Sequence, residues 1–255
     1  MARTDQLILV SNDDGVHSLG LHRLVEALQE VGEVVAIAPD RERSAASHAL
    51  TLHKPLRVDE IRKGFFSVNG TPTDCVNLGV LFLLKEKRPA LVVSGINKGG
   101  NLGDDVTYSG TVSAAMEGTL LGIPSIAVSQ LGEGAYHFET AARFAVSLSR
   151  LVLDEGLEKD FFLNVNVPNL PPEKINGTRI TSLGKRVFND STIVENTDPR
   201  GRKYYWIGVN GMTWEKRKNT DHESVEEGAI SVTPLHLDLT HHPTIERLNK
   251  WKERL

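Results

Sequence analysis

Leu7-Ile8-Leu9-Val10-Ser11-Asn12-Asp13-Asp14-Gly15 is an apolar run that ends on two adjacent carboxylates and a glycine. Its first half reads as a short strand buried on both faces, the kind that lies inside a parallel sheet. Such a strand delivers whatever follows it to a fixed place. Two acids held side by side repel one another unless a proton or a cation lies between them, so the end of this strand asks for a positive charge.

Outward from this segment the chain alternates. Strand-like runs at 7–11, 33–38, 90–94, 124–129 and 161–167 are rich in Val, Ile, Leu or Phe. Helices are predicted between them: Leu19 to Val31, apolar at Leu21, Leu24, Val25 and Leu28 with Gly32 as C-cap; Asp74 to Lys87, capped by Thr73 or Asp74; Thr111 to Leu121, stopped by Gly122; and Glu139 to Leu153. This alternation predicts an α/β fold, a mostly parallel sheet with helices on both faces. No internal repeat or low-complexity tract argues for a solenoid or a linker.

The rhythm breaks after Pro168-Asn169-Leu170-Pro171-Pro172, so residues 1–172 are expected to form the catalytic core and 173–255 a C-terminal extension. Extended stretches at 178–183, 203–209 and 229–235 and a terminal amphipathic helix at 244–254 make up that extension. It is too short and polar to hold a core alone, which leaves two readings: an arm exchanged between subunits, or an edge extension of the sheet. Tyr204-Tyr205-Trp206, in a chain only 6% aromatic, favours a buried contact and hence the arm.

Composition excludes several classes. At 255 residues, 40% hydrophobic and 24% charged, with net charge −4, the chain reads as an ordinary soluble protein without the basic excess of a nucleic-acid or anionic-membrane binder. Lys216-Arg217-Lys218 is expected to be a solvated face. One cysteine, Cys75, allows neither a disulfide framework nor a thiolate zinc cluster and fits a small core residue. The N-terminus lacks a secretory apolar core and no run is long enough to span a bilayer, so a cytoplasmic location is expected.

In an open parallel sheet ligands bind at the carboxyl ends of the strands. Asp13-Asp14, Pro39-Asp40-Arg41-Glu42-Arg43-Ser44 and Ser94-Gly95-Ile96-Asn97 each follow a strand and meet on that edge. Their oxygens are hard donors suited to magnesium, manganese or calcium. The nine histidines form no His-Glu-x-x-His helix, His241-His242 beside Pro243 reads as a surface turn, and His236 is given no role. Asn97-Lys98-Gly99-Gly100-Asn101-Leu102-Gly103 and Tyr108-Ser109-Gly110-Thr111, at a helix mouth, look like an anion cradle, since glycines admit a ligand to the backbone and the helix start offers free N–H groups. Ser109 or Thr111 as a helix cap is compatible with that use.

These blocks, with Asn69-Gly70-Thr71-Pro72-Thr73-Asp74-Cys75-Val76, Asp198-Pro199-Arg200-Gly201 and Ser231-Val232-Thr233-Pro234-Leu235, resemble in order the signature segments of the survival protein SurE family. The resemblance implies a metal-dependent 5′/3′-nucleotidase with a Rossmann-like core and an extension used in dimers or tetramers. It implies one divalent ion per subunit, magnesium or manganese, held by Asp13, Asp14, Ser44 and Asn97. Phosphate contacts fall on Asn101, Ser109, Gly110 and Thr111. One departure stands at Thr220-Asp221-His222-Glu223-Ser224, where His222 replaces an expected aromatic.

The expected reaction is hydrolysis of nucleoside monophosphates by a metal-activated water, with Asp13 and Asp14 as the catalytic residues and either able to receive a proton, as a poorer base when ligated. An aspartyl-phosphate route wants two aspartates separated by one residue, unlike this adjacent pair. The competing readings are a non-catalytic nucleotide-binding stress-response module, and a nucleotide-sugar transferase, for which no acceptor domain is visible. Expected partners are the nucleoside monophosphate and further copies of the chain, with no stable nucleic-acid complex and no membrane.

Overall fold

A computed structural model of the chain describes residues 6–132, 134–187, 193–207 and 213–254. Residues 1–5, read above for a leader, and the last two positions of the 203–209 stretch lie outside the described residues.

Chain order runs β1 (Leu7–Ser11), α1 (Leu19–Leu28), β2 (Glu33–Pro39), β3 (Val58–Arg62), β4 (Phe65–Val68), α2 (Pro72–Leu78), β5 (Leu91–Lys98), α3 (Gly110–Leu120), β6 (Ser125–Gln130), α4 (Phe138–Glu155) and β7 (Phe161–Val167). The C-terminal part adds β8 (Thr178–Ile180), β9 (Arg186–Val187), β10 (Ile193–Thr197), β11 (Lys203–Ile207), β12 (Thr213–Trp214), α5 (Asp221–Glu226), β13 (Ile230–His236) and α6 (His242–Asn249). Nine strands form one sheet in the order β3-β4-β2-β1-β5-β6-β7-β13-β8. From β4 to β7 neighbouring strands are parallel, while β3 and β13 run against β4 and β7.

The predicted α/β architecture is the observed one. Every residue of β1 and β6 is buried. Alternate side chains feed opposite layers: Ile8, Val10, Val93, Val128 and Val165 pack with Leu21, Leu24 and Leu28 of α1 and with Ala141 and Ala145 of α4. On the other face Leu9, Ile37 and Val92 meet Cys75 and Val76 of α2 and Ala114 of α3. Burial pushes the Cys75 thiol up, consistent with its place in the core. Chain order reverses direction across the sheet between β1 and β5, so their carboxyl ends form the crevice where ligands of such folds sit.

Several local expectations are corrected. Helix α1 stops at Leu28, and Gly32 is not its cap: Gln29 is, and a Cβ at residue 32 would lie 2.4 Å from the Gln6 carbonyl, so glycine there permits close chain approach. Helix α2 starts two residues earlier than predicted, because Thr71 and Asp74 form a reciprocal capping box with Pro72 at the first helical position. At Gly79, a poor helix former, it passes into a π turn, Gly79–Leu83, instead of continuing to Lys87. Helix α6 ends at Asn249 and a separate 3-10 turn, Lys252–Arg254, follows. His242 lies in α6, its Nε2 2.5 Å from Asp238 Oδ2, rather than in a surface turn.

The hairpin β3-β4 was not expected. Four of the five residues of β3 are exposed, so it carries little apolar signal, yet β4 pairs with β2 and widens the sheet. Strand β13 enters the main sheet beside β7, whereas β10 and β11 form a separate antiparallel ribbon. Tyr204, Tyr205 and Trp206 on that ribbon are 43%, 59% and 65% exposed, so within one chain the aromatic cluster is not buried, contrary to the reading of its composition. A two-stranded ribbon has no second layer to cover its faces. Among the described residues, no helix is long and apolar enough to cross a membrane.

Candidate active site

The turn after β1 is braced before it does any chemistry. Buried Asn12 donates through Nδ2 to the Gly15 carbonyl at 3.2 Å and to Ser18 Oγ at 2.7 Å, and Ser18 caps α1. Gly15 takes φ +95°, a conformation that favours glycine, and the Val16 N–H then reaches the Pro39 carbonyl at 2.8 Å. The loops after β1 and β2 are thereby tied together at the sheet edge.

Asp13 is buried and faces the start of α3. Its carboxylate accepts from the Thr111 hydroxyl and from the Gly110 and Thr111 amides. The positive end of the helix dipole lies along the same direction. Burial still pushes the Asp13 carboxyl above its usual range, with these donors opposing it. Gly110 is required here: a Cβ would fall 2.7 Å from Asp13 Cβ. Asp14, beside it, is half-buried. Burial first and then the charge of Asp13 push its carboxyl up to about 6, against a hydrogen bond from the Lys98 N–H.

The predicted metal ligands converge unequally. Asn97, near the end of β5, donates through Nδ2 to the Gly99 carbonyl at 2.9 Å, which leaves its Oδ1 as the atom for a ligand. Its neighbour Lys98 contacts Asp14, so Asn97 stands at the carboxylate pair. The Ser44 segment arrives through Arg43, whose N–H donates to the Asp13 carbonyl at 2.7 Å. The Ser44 side chain is exposed, and its hydroxyl donates to Glu42 Oε1 at 2.6 Å. Ser44 therefore sits on the rim, turned toward Glu42.

The residues fit a hard divalent cation. Asp14 Oδ2 is buried with no hydrogen-bond partner, an uncompensated acceptor that a cation would satisfy. Among the described residues no three His, Cys, Asp or Glu side chains come together, so the donor set is two carboxylates plus neutral oxygens. That set is unsuited to a softer, thiolate-binding metal.

The expected phosphate positions line the same crevice. Ser109 caps α3 by accepting the Val112 N–H at 3.0 Å, and its carbonyl accepts from the Ser113 hydroxyl at 2.6 Å. Gly110 and Thr111 follow as the first helical residues. Asn101 is buried, and its side-chain amide donates to Ser129 Oγ at 2.6 Å.

Sequence reasoning missed the groups that hold this crevice together. Asn164 and Asn166 on β7 are wholly buried and bond to the backbone of Asn101. Buried Asp221 accepts the N–H groups of Gly103 at 2.8 Å, Gly184 at 2.7 Å and His222 at 2.8 Å, joining the extension to the loop after Asn101. Glu117 on α3 takes His48 Nε2 at 2.8 Å and Asn77 Nδ2 at 2.7 Å, pinning the segment that carries Ser44. The available signal was polar residues inside apolar runs, as in Phe161-Phe162-Leu163-Asn164-Val165-Asn166-Val167. His222 stacks on Trp214 with ring centroids 4.4 Å apart, which accounts for a ring at the departing position. His236 is exposed and meets the Phe161 ring edge-on at 4.9 Å.

A cleft of about 860 Å³ between α1 and α4, with Leu19, Arg23, Tyr136 and Arg150 in its walls, contains none of these side chains. The carboxylate crevice is identified by its chemistry rather than by volume.

Comparison with known proteins agrees with the fold. Residues 8–190 match the family model described as survival protein SurE. The chain is 59% identical over 245 residues to 5′-nucleotidase SurE of Geobacter sulfurreducens, covering 96% of this chain and 93% of that protein. With 5′-nucleotidase SurE of Geobacter sp. strain M21 it shares 56% identity, covering 96% and 98%. The crystal structure of SurE protein from Aquifex aeolicus superposes with a TM-score of 0.86 at 45% identity, over 96% of this chain and 99% of that one. The chain belongs to the SurE family.

Proposed function

We propose that the chain is a divalent-metal-dependent phosphomonoesterase that hydrolyses nucleoside 5′- and 3′-monophosphates to nucleoside and phosphate. The observation that carries this reading is the adjacent Asp13-Asp14 pair, one oxygen of it buried and unpartnered, at the mouth of α3. The relatives named 5′-nucleotidase supply the substrate class. Asp13, Asp14, Asn97 and Ser44 would hold the ion, with Ser44 turning from Glu42 to do so. Bound there, magnesium or manganese would acidify a water and offset charge on the phosphoryl oxygens.

The protein's own groups do the positioning. Ser109 accepts a backbone N–H through its lone pair and keeps its hydroxyl proton for an anion, while Gly110 and Thr111, next along α3, hold Asp13 beside it. Asp14, whose Oδ2 has no hydrogen-bond partner, would face the ion and can take a proton during attack, as a poorer base once ligated, while Asp13, held by Thr111 at the start of α3, fixes the geometry. Phosphate release from nucleoside 5′- and 3′-monophosphates with manganese or magnesium tests the reading, with chelator and Asp13→Asn as controls. Nucleotide binding without phosphate release under any divalent ion would leave the non-catalytic reading in its place. A phosphorylated aspartate after rapid quench would replace direct attack by water.

The exposed Tyr204-Tyr205-Trp206-Ile207 ribbon is the surface through which the chain forms a homodimer or homotetramer. Trp206→Ser is expected to lower the mass measured by sedimentation equilibrium, and an unchanged mass would remove the ribbon from that role. A cytoplasmic location belongs to the same reading and is checked by fractionation.

A further inference from the structure

We propose that Asn166 is a positioning residue for the phosphate-side loop, and that it acts by clamping the backbone of Asn101. The proposal rests on the nucleotidase reading above. Asn101 lies between Asn97 at the carboxylates and the Ser109 cap of α3. Its N–H donates to Asn166 Oδ1 at 2.8 Å, and its carbonyl accepts from Asn166 Nδ2 at 3.0 Å. One side-chain amide therefore makes both bonds that a neighbouring strand would make. A second donor, Asn164 Nδ2, reaches the same carbonyl at 2.8 Å. Among the described residues, no main-chain group pairs with the backbone of Asn101. Two side chains from β7 replace the ladder at this point.

The chemistry of the strand supports a dedicated role. Asn is disfavoured in strands, and an unpaired buried amide is costly. Both asparagines are wholly buried, and the intervening Val165 belongs to the opposite core face. Phe162, earlier on the asparagine face, is apolar and packs with Val112 and Ala115 of α3. The polar exchange thus begins where the strand reaches the crevice. Opposite Asn166 and Asn164 stand Ser231 and Thr233 of β13, whose hydroxyls bond Thr181 at 2.8 and 2.7 Å. The hydroxyls satisfy one another and leave the asparagines to the loop.

The test uses inorganic phosphate as probe, with the manganese-loaded protein and the variants Asn166→Leu and Asn166→Asp, every affinity expressed relative to wild type at the same pH. Asn166→Leu removes both bonds and is expected to weaken phosphate binding about tenfold or more at every pH. Asn166→Asp keeps the acceptor for the Asn101 N–H but sets a carboxylate against its carbonyl; once protonated the acid can donate again. Its relative affinity is expected to be weak at about pH 8 and to recover toward wild type at about pH 5, a rescue that general loosening of the fold would not give. Wild-type affinity in the Leu variant, or no recovery in the Asp variant, overturns the clamp.

Hydrogen exchange on the wild-type protein decides the matter if a variant does not fold. The 99–103 peptide is expected to retain a slowly exchanging amide from Asn101, and complete rapid exchange would overturn the proposal. If wild type neither binds phosphate nor releases it from nucleotides, the nucleotidase reading fails, while the exchange result still rules on the clamp.

Discussion

Replacing Asp14 by Asn should stabilise the metal-free protein at alkaline pH while removing its phosphatase activity. The Asp14 carboxyl stands at about 6 against an ordinary 3.8, raised by burial and by the charge of Asp13. Between those values the folded chain binds more protons than the unfolded one, so stability falls as pH rises through the window and stays lowered above it. At about 1.4 kcal/mol per pH unit the gap sets a ceiling of about 3 kcal/mol. Solvent screening at a half-buried carboxylate reduces it to about 1–2 kcal/mol. For a chain of this size that corresponds to a melting point higher by about 2–8 °C in Asp14→Asn. Scanning calorimetry in chelator at about pH 8 measures the difference, which should shrink to a few tenths of a kcal/mol at about pH 3.5, where the folded carboxyl is protonated and the unfolded one mostly so. Manganese should reverse the order, since an ion that binds only the folded wild type raises its stability. No gain at alkaline pH, or the same gain at both pH values, would refute the electrostatic account of this pair.

Thr111→Val removes the hydroxyl donor from buried Asp13. Because that donor lowers the carboxyl's proton affinity, the acid limb of the pH–rate profile should move upward, with a stability loss of about 1–3 kcal/mol seen in denaturant melts. Gly110→Ala drives a methyl to 2.9 Å from Asp13 Oδ2 and should lower kcat by about tenfold or more in steady-state assays. Asp221→Ala leaves the Gly103, Gly184 and His222 N–H groups without their acceptor. It should cost about 3 kcal/mol or more in denaturant melts and speed amide exchange across Gly103–Thr107.

Central strands were legible because burial on both faces demands apolar residues, and Leu7–Ser11 and Ser125–Gln130 supply them apart from serines and Gln130 at their ends. Edge strand β3, Val58-Asp59-Glu60-Ile61-Arg62, escapes such reading because solvent accepts its polar side chains and its pairing is decided by β4. The carboxylates and the helix mouth could be placed because strand ends and helix starts are local features. Their supports are nonlocal: Asn166 is 65 residues from Asn101, and Asp221 is 118 residues from Gly103. A polar residue in an apolar strand announces a partner without naming it. Trp206 illustrates the opposite failure, since aromatic density signals a contact but not whether the surface that makes it belongs to the same chain.

The late arrival of β13 bears on how the chain is made. Strand β7 ends at Val167, but the strand that covers its outer edge begins only at Ile230. During synthesis, everything from β1 to β7 can leave the ribosome while the backbone of Phe161–Val167 still offers a row of unpaired peptide groups. A ribosome adding about 5–20 residues per second keeps that edge open for several seconds, during which another nascent chain can dock on it. The intervening ribbon sets the length of this interval, so shortening the segment between β8 and β13 would close the sheet sooner.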